Sequence, residues 1–526
     1  MTSKNTHGES HRRMFKGTAI LLASRVVSAV LALLQFVLIA RYFGATSTTD
    51  AFFVASVVPI LFLGLVETNL ALTFTPLFVE LEQDGKDADA WTLAATLFKG
   101  GTLIMILYVL LTMLCAYPLA YVLAPGFDPE NRQELAKLIL CLAPNALAMF
   151  IGSMFATLCF IRGTFILPAI TYIIAAALPL LSIVLLHGLL QIYALPVGIV
   201  SGSVLTGILL YFRFGHRHPL FRTRIKVSHP AVREMGRLMA LRTFATSLAE
   251  VNTAVDRIFA SRIAPGHVTH LANAHQIVIA VRRLFVVPVG RSAMPVLSRA
   301  SARGDHAEVR SLVGGIIGFL GFAIIPLFVF LIGFRDEVIS LVFARGAFTE
   351  AAVEFTASAL MFYSIGAFSA VLNPVLTATL FSMRDSLSPL KIVCIGVVLN
   401  VLLDYLCILA FSFGGIALAT SGVATAASFL LWLSLSRKTG GLNARKTLGS
   451  LGRTLLASIV MVAVAKLIDL GVQAHWQPGL FIRVMLCFGA GAIAYIPLQA
   501  VFNRKDMRKA RATAQQIMNR KSGTSA

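Results

Sequence analysis

Apolar residues in this chain fall in long, nearly unbroken blocks separated by short polar or basic connections. A helix needs roughly 20 mostly apolar residues to cross a hydrocarbon layer, and blocks of that length predict membrane-spanning helices. Fourteen can be read, at 17–44, 50–80, 91–123, 134–161, 164–186, 190–212, 238–263, 268–296, 310–334, 351–381, 388–411, 413–436, 451–470 and 479–502. The seventh and eighth are polar for their kind, carrying Arg242, Glu250, Asp256, Arg257, Arg282 and Arg283. The pattern predicts an all-α polytopic membrane protein.

Composition agrees. Of 526 residues, 57% are hydrophobic and 13% charged, with a mean hydropathy of +0.82, against about 45–50% apolar and about 25% charged in soluble domains. That excludes a soluble enzyme, a disordered chain, a collagen and a disulfide scaffold. The 45 Lys and Arg against 24 Asp and Glu give a net charge of +21. Placing the N-terminus in the cytoplasm puts 30 basic residues on that side and six in or beside the opposite connections. Such a bias predicts both termini inside. The basic connections and the tail from Arg504 to Lys521 then serve orientation and contact with anionic lipid; no aromatic residue interleaves the tail, so a nucleic-acid partner is not expected.

The longest connection, about 213–237, is too short for a soluble domain. Residues 1–16 read as a cytoplasmic tail, since the apolar run after them is too long for a cleaved signal peptide. By segment count the chain divides into an N-terminal lobe (17–212), the basic connection (213–237), a second six-segment lobe (238–436), a final pair (437–502) and a basic tail (503–526). Six cysteines lie within segments with no CxxC, as buried small hydrophobes do. No GxxxxGK[ST], HExxH or GxSxG motif and no DxxD cluster is present. Neither an enzyme nor a metal or other cofactor is expected.

What carries chemistry is the ionisable set inside the segments: Arg25, Glu67, Arg242, Glu250, Asp256, Arg257, Arg282, Arg283, Arg291 and Asp404. Each is costly in hydrocarbon and so faces a partner or a wet cavity. Six cations against four anions suit an anionic substrate. Gln276 and Arg283 lie seven apart, on one helix face, with Arg282 turned about 100° away. Glu250 and Arg257 have the same spacing, and Glu250 with Asp256 could neutralise Arg257 or Arg242; Asp256 and Arg257 read equally well as an ion pair holding helices together. Arg25 suits phosphate oxygens, which a guanidinium fork binds bidentately, or a salt bridge to Glu67 that a diphosphate could displace. Mid-segment prolines, among them Pro59, Pro76, Pro144, Pro168, Pro179, Pro295, Pro326 and Pro374, allow helices to bend.

Several blocks carry a resemblance. Ser24-Arg25-Val26, Ala40-Arg41-Tyr42-Phe43-Gly44-Ala45 and Thr49-Asp50-Ala51-Phe52-Phe53-Val54-Ala55 come first. Val255-Asp256-Arg257-Ile258-Phe259-Ala260-Ser261 and Met294-Pro295-Val296-Leu297-Ser298-Arg299 with Gly304-Asp305 follow. Last are Leu341-Val342-Phe343-Ala344-Arg345-Gly346-Ala347-Phe348 and then Phe381, Asp385, Pro389 and Lys391. Together, in this order, they resemble the MurJ (MviN) family of lipid II flippases in the MOP exporter superfamily. The resemblance implies two six-helix lobes around a central cavity, with the last two helices forming a groove for a polyprenyl tail. It implies a bacterial inner-membrane transporter that moves an undecaprenyl-diphosphate-linked cell-envelope precursor to the periplasmic leaflet by alternating access.

The chain departs from the family pattern in places. Phe62-Leu63-Gly64 stands where the family has an Arg pair, Glu67-Thr68-Asn69-Leu70 replaces Glu-Gly-Ala-Phe, and Ala274-His275-Gln276 replaces Ala-Asp-Arg. Arg282, Arg283 and Arg291 are additional, and Arg25 lies farther from Arg41 than in the family. The expected substrate-binding set is therefore Arg25, Glu67, Asn69, Arg257, Gln276 and Arg283, with Glu250, Asp256, Arg242 and Asp404 in structural or coupling ion pairs. Partners would be the lipid-linked precursor, membrane lipids and envelope-synthesis enzymes. Lipid II is the first expectation. A lipid-linked exopolysaccharide or O-antigen-type oligosaccharide, a cation-coupled export of small molecules, and a non-transporting scaffold for envelope synthesis are the alternatives.

Overall fold

The computed structural model describes residues 3–214, 219–475 and 478–502; the side chains of 3–16, 18, 60–69, 71, 72, 240–247, 249, 284–295, 444 and 502 lie outside the description. Among the described residues every regular element is helical. Lipid offers the backbone no hydrogen-bond partner, and a helix satisfies its own. In order the helices are α1 (Ser3–Phe43), α2 (Ser47–Ala55), α3 (Val57–Gln83), α4 (Asp87–Leu114), α5 (Ala116–Leu123), α6 (Pro129–Leu142) and α7 (Pro144–Ile161). Next come α8 (Ile166–Leu190), α9 (Ala194–Phe214), α10 (Pro219–Arg222), α11 (Pro230–Ala260), α12 (His267–Ala302) and α13 (His306–Gly333). The last six are α14 (Arg335–Phe343), α15 (Glu350–Ser382), α16 (Leu387–Phe411), α17 (Gly414–Thr439), α18 (Ala444–His475) and α19 (Leu480–Phe502).

The fourteen predicted segments all fall on helices, while α10 and α14 lie in connections. Three segments are divided, into α2 and α3, α4 and α5, and α6 and α7. Proline explains two of the breaks, because it has no N–H for the carbonyl four residues back. Accordingly α2 stops at Ala55, four residues before Pro59, and α4 at Leu114, four before Pro118. Pro144 instead opens α7, where a helix needs no N–H. Pro76, Pro179, Pro326 and Pro374 sit inside continuous helices. Ten stretches of the described residues are long and apolar enough to cross a membrane, and one of them, Ile166–Phe214, holds both α8 and α9.

The helices form two compact units, residues 1–269 and 270–526. In the first, α8 packs on α1 and α9, α7 on α9 and α3, and α3 on α11, around Phe74, Phe78, Leu93, Met154, Phe155 and Leu210. In the second, α15 and α16 pack on α17, α13 on α15 and α18, and α18 on α19, around Phe330, Phe334, Met461 and Cys487. Lipid is as apolar as leucine, so these contacts depend on close approach at small residues. Gly198 of α9 lies against the backbone of Pro179 on α8, and Gly366 of α15 against that of Ser421 on α17; a Cβ at either position would collide.

The basic connection between α9 and α11 is pinned to α4. Lys99 donates to the carbonyls of Phe221 (3.0 Å) and Thr223 (2.8 Å). The Lys226 N–H donates to Thr96 Oγ1 at 3.0 Å, and His229 lies 3.2 Å from Asp89.

Candidate functional site

A cavity of about 300 Å³ opens inside the first unit, walled by α1, α4, α7, α8 and α9, with Pro59 of α3 at its edge. Helical spacing builds its walls from small residues. Ala148, Gly152 and Ala156 recur every four residues along α7; Thr171 with Ala175 and Tyr172 with Ala176 do so on α8; Ser203, Thr206 and Leu210 line one stripe of α9. Larger side chains there would fill the space that these leave.

Among the described residues, Arg25 of α1 is the one charged side chain lining the cavity. Its guanidinium carbon lies 3.7 Å from the centre of the Tyr172 ring. Stacking of this kind stabilises the cation by about 0.5–2 kcal/mol and directs its N–H donors along the ring plane. Ser28, one turn on, donates to the carbonyls of Ser24 (2.8 Å) and Tyr172 (3.0 Å), tying α1 to α8. Thr171 donates to Pro168 O at 2.9 Å and Thr206 to Thr171 O at 3.4 Å. A guanidinium set among hydroxyls in low dielectric suits an anionic, hydroxylated ligand.

Of the expected residues whose side chains are described, Arg25 alone lines this cavity. Arg257 of α11, also in the first unit, donates instead to the carbonyl of Phe53 and, at 3.3 Å, to Ser56 Oγ. Its cation serves the end of α2, where Pro59 interrupts the backbone ladder. Glu250 and Asp256 are half-buried on α11. In the second unit Gln276 is buried on α12, Arg282 half-buried and Arg283 exposed. His275 beside Gln276 packs on Tyr363 with ring centres 5.1 Å apart. Asp404 is fully buried on α16, one turn after buried Asn400. The side chains of Glu67, Asn69, Arg242 and Arg291, and the tail 503–526, lie outside the described residues.

The ionisable set read from the sequence was incomplete. Lys99, Lys466, Asp469 and Arg483 also lie within predicted segments, and each is bonded. Asp469 of α18 takes Arg483 of α19 through both oxygens, at 2.5 and 3.0 Å. Glu337 of α14 binds Lys466 at 2.8 Å and Arg483 at 3.7 Å. Asp50, quoted above only as part of a block, is 1% exposed. It accepts from the Gly266 N–H (2.6 Å), the Thr269 N–H (2.7 Å) and the Thr269 hydroxyl (2.6 Å), capping the start of α12. The signal for it was an acid beside two threonines at a segment end, which is also how a solvated loop residue looks.

A family model described as lipid II flippase MurJ matches residues 39–487. A probable lipid II flippase MurJ from Synechocystis sp. is 26% identical over 492 residues, covering 89% of this chain and 90% of that protein. A solved lipid II flippase MurJ in an inward closed conformation superposes with a TM-score of 0.76 at 20% identity, covering 92% and 99% of the two chains. An inward-facing multidrug-resistance MATE family transporter of the MOP superfamily superposes with a TM-score of 0.66 at 11% identity, covering 79% and 94%.

Proposed function

The chain belongs to the lipid II flippase MurJ family, and we propose that it carries lipid II, an undecaprenyl-diphosphate-linked peptidoglycan precursor, from the cytoplasmic to the periplasmic leaflet. It is a multi-pass membrane transporter rather than an enzyme. The observation that supports this substrate is the first-unit cavity, in which Arg25 stacks on Tyr172 beside hydroxyl-bearing helices. A guanidinium fork beside hydroxyl groups suits a diphosphate.

Arg25 is the leading head-group residue in this reading. Gln276 and Arg283 of α12, with Glu67, Asn69 and Arg257, complete the proposed binding set. Residues 17–212 and 238–436 remain the proposed lobes, exposing the head group to each side in turn, and 437–502 the pair that takes the polyprenyl tail. Shielding the charged head group while the tail stays in lipid avoids the several kcal/mol that a charge costs in hydrocarbon.

The test is rescue of a bacterium depleted of its own lipid II flippase, with translocation of labelled lipid II as the second readout. The wild-type chain is expected to restore both. Arg25→Glu, expressed to the same level in the membrane, is expected to lower translocation by more than about tenfold, the effect of roughly 1.4 kcal/mol. Absence of rescue by the wild-type chain rejects the function, and a fully active Arg25→Glu rejects the site.

A further inference from the structure

We propose that Tyr172 is a positioning residue for the head group: its ring holds the guanidinium of Arg25 in the plane in which that fork meets a phosphate. The proposal rests on the flippase reading above and adds to it how the arginine is held ready for its ligand.

Arg25 is exposed on α1, and a long side chain so placed has many rotamers, most of which are given up when its fork closes on an anion. Tyr172, half-buried on α8, narrows that choice beforehand. The guanidinium carbon lies 3.7 Å from the centre of the Tyr172 ring. At that distance the flat face of the cation is spent on the ring, while its N–H donors point outward along the edge. Face and edge are separate surfaces. Whatever the edge meets in this conformation, one anionic partner can replace another there without breaking the stack.

The backbone keeps the two side chains opposed. Ser28 lies three residues after Arg25 and so on the same side of α1. Its hydroxyl bonds to the carbonyl of Ser24 at 2.8 Å and, across the helix interface, to the carbonyl of Tyr172 itself at 3.0 Å. One serine therefore fixes the spacing of α1 and α8 at the level of the stack. Tyr172 is also the single Tyr, Phe or Trp of α8, in a stretch whose neighbours Ile170, Ile173 and Ile174 are aliphatic. An aliphatic residue of similar size would fill the same volume but offers a cation no quadrupole. Ala175 and Ala176, one turn on, line the cavity as well and are too short to compete for the ring.

The experiment measures binding of a short-chain prenyl diphosphate to the full-length protein in lipid nanodiscs. Tyr172→Leu is expected to weaken binding about fivefold, roughly 1 kcal/mol, and Tyr172→Met, which fills the space without a ring, to do the same. Tyr172→Phe keeps the ring and is expected to stay within about twofold of wild type. In an Arg25→Gln background, itself weakened, Tyr172→Leu is expected to add less than about 1.5-fold, because no cation remains to be positioned; a residue that only packs would cost the same in both backgrounds. Melting curves identify a variant that fails to fold, and Tyr172→Met then carries the test in place of Tyr172→Leu. Wild-type affinity in the Leu and Met variants, an equal loss in the Arg25→Gln background, or a Tyr172→Phe as weak as Tyr172→Leu overturns the positioning role while leaving the flippase reading in place. Failure of wild type to bind the probe, or an Arg25→Gln that binds it as tightly as wild type, rejects the head-group assignment on which the role rests.

Discussion

At the scale of single residues, the structure separates arginines that look alike in sequence. Arg25 and Arg257 are both arginines within predicted membrane segments, and spacing along each helix cannot show what lies across from them. One stacks on Tyr172 at a cavity; the other supplies a donor to the carbonyl of Phe53. Asp50 shows the converse, a residue whose weight comes from partners more than 200 positions away in sequence, at Gly266 and Thr269. Its three bonds run to a buried carboxylate, and such charge-assisted bonds are the strong kind. Asp50→Asn would turn one acceptor oxygen into an amide that faces donors. It is expected to cost about 3 kcal/mol, read as a lower melting temperature in detergent, with Asp50→Ala at least as harmful. Unchanged melting in both variants would show that the cap contributes nothing.

At the scale of elements, the length of the apolar blocks located the helices, a local effect, whereas of the prolines read as bends Pro59 follows a break and Pro76, Pro179, Pro326 and Pro374 sit inside continuous helices. The pairing of elements was not legible. Lys466, Asp469 and Arg483 stand in plain view in the last two segments, yet the residue that joins two of them to the rest of the second unit is Glu337, 129 positions from Lys466. Asp469 is almost wholly buried and Arg483 is half-buried. Removing one member of such a pair therefore leaves the other charge short of a partner in a poorly solvated place. A double-mutant cycle with Asp469→Ala and Arg483→Ala is expected to give a coupling of about 2 kcal/mol in thermal or denaturant unfolding, the singles costing nearly as much as the double. Strictly additive singles would reject the pair as the link between α18 and α19.

At the scale of the molecule, the excess of basic residues in alternate connections predicts orientation. A fluorescent protein fused after residue 502 is expected to fluoresce, and alkaline phosphatase fused there to be inactive. Phosphatase fused in the connection near Phe127 is expected to be active. The reverse pattern would overturn a cytoplasmic placement of both ends. The amino-acid sequence by itself determined that the chain is helical, that it repeatedly crosses a membrane, and which family it resembles. Hydropathy, block length and motif order are properties of neighbouring residues and survive without coordinates. Only the tertiary structure decided that small residues on α7, α8 and α9 leave a cavity beside Arg25, that Arg257 serves a broken helix, and that Asp50 caps another. Those outcomes depend on which helix faces which, and in lipid that choice is made by close packing at small residues and by a few polar contacts between distant segments.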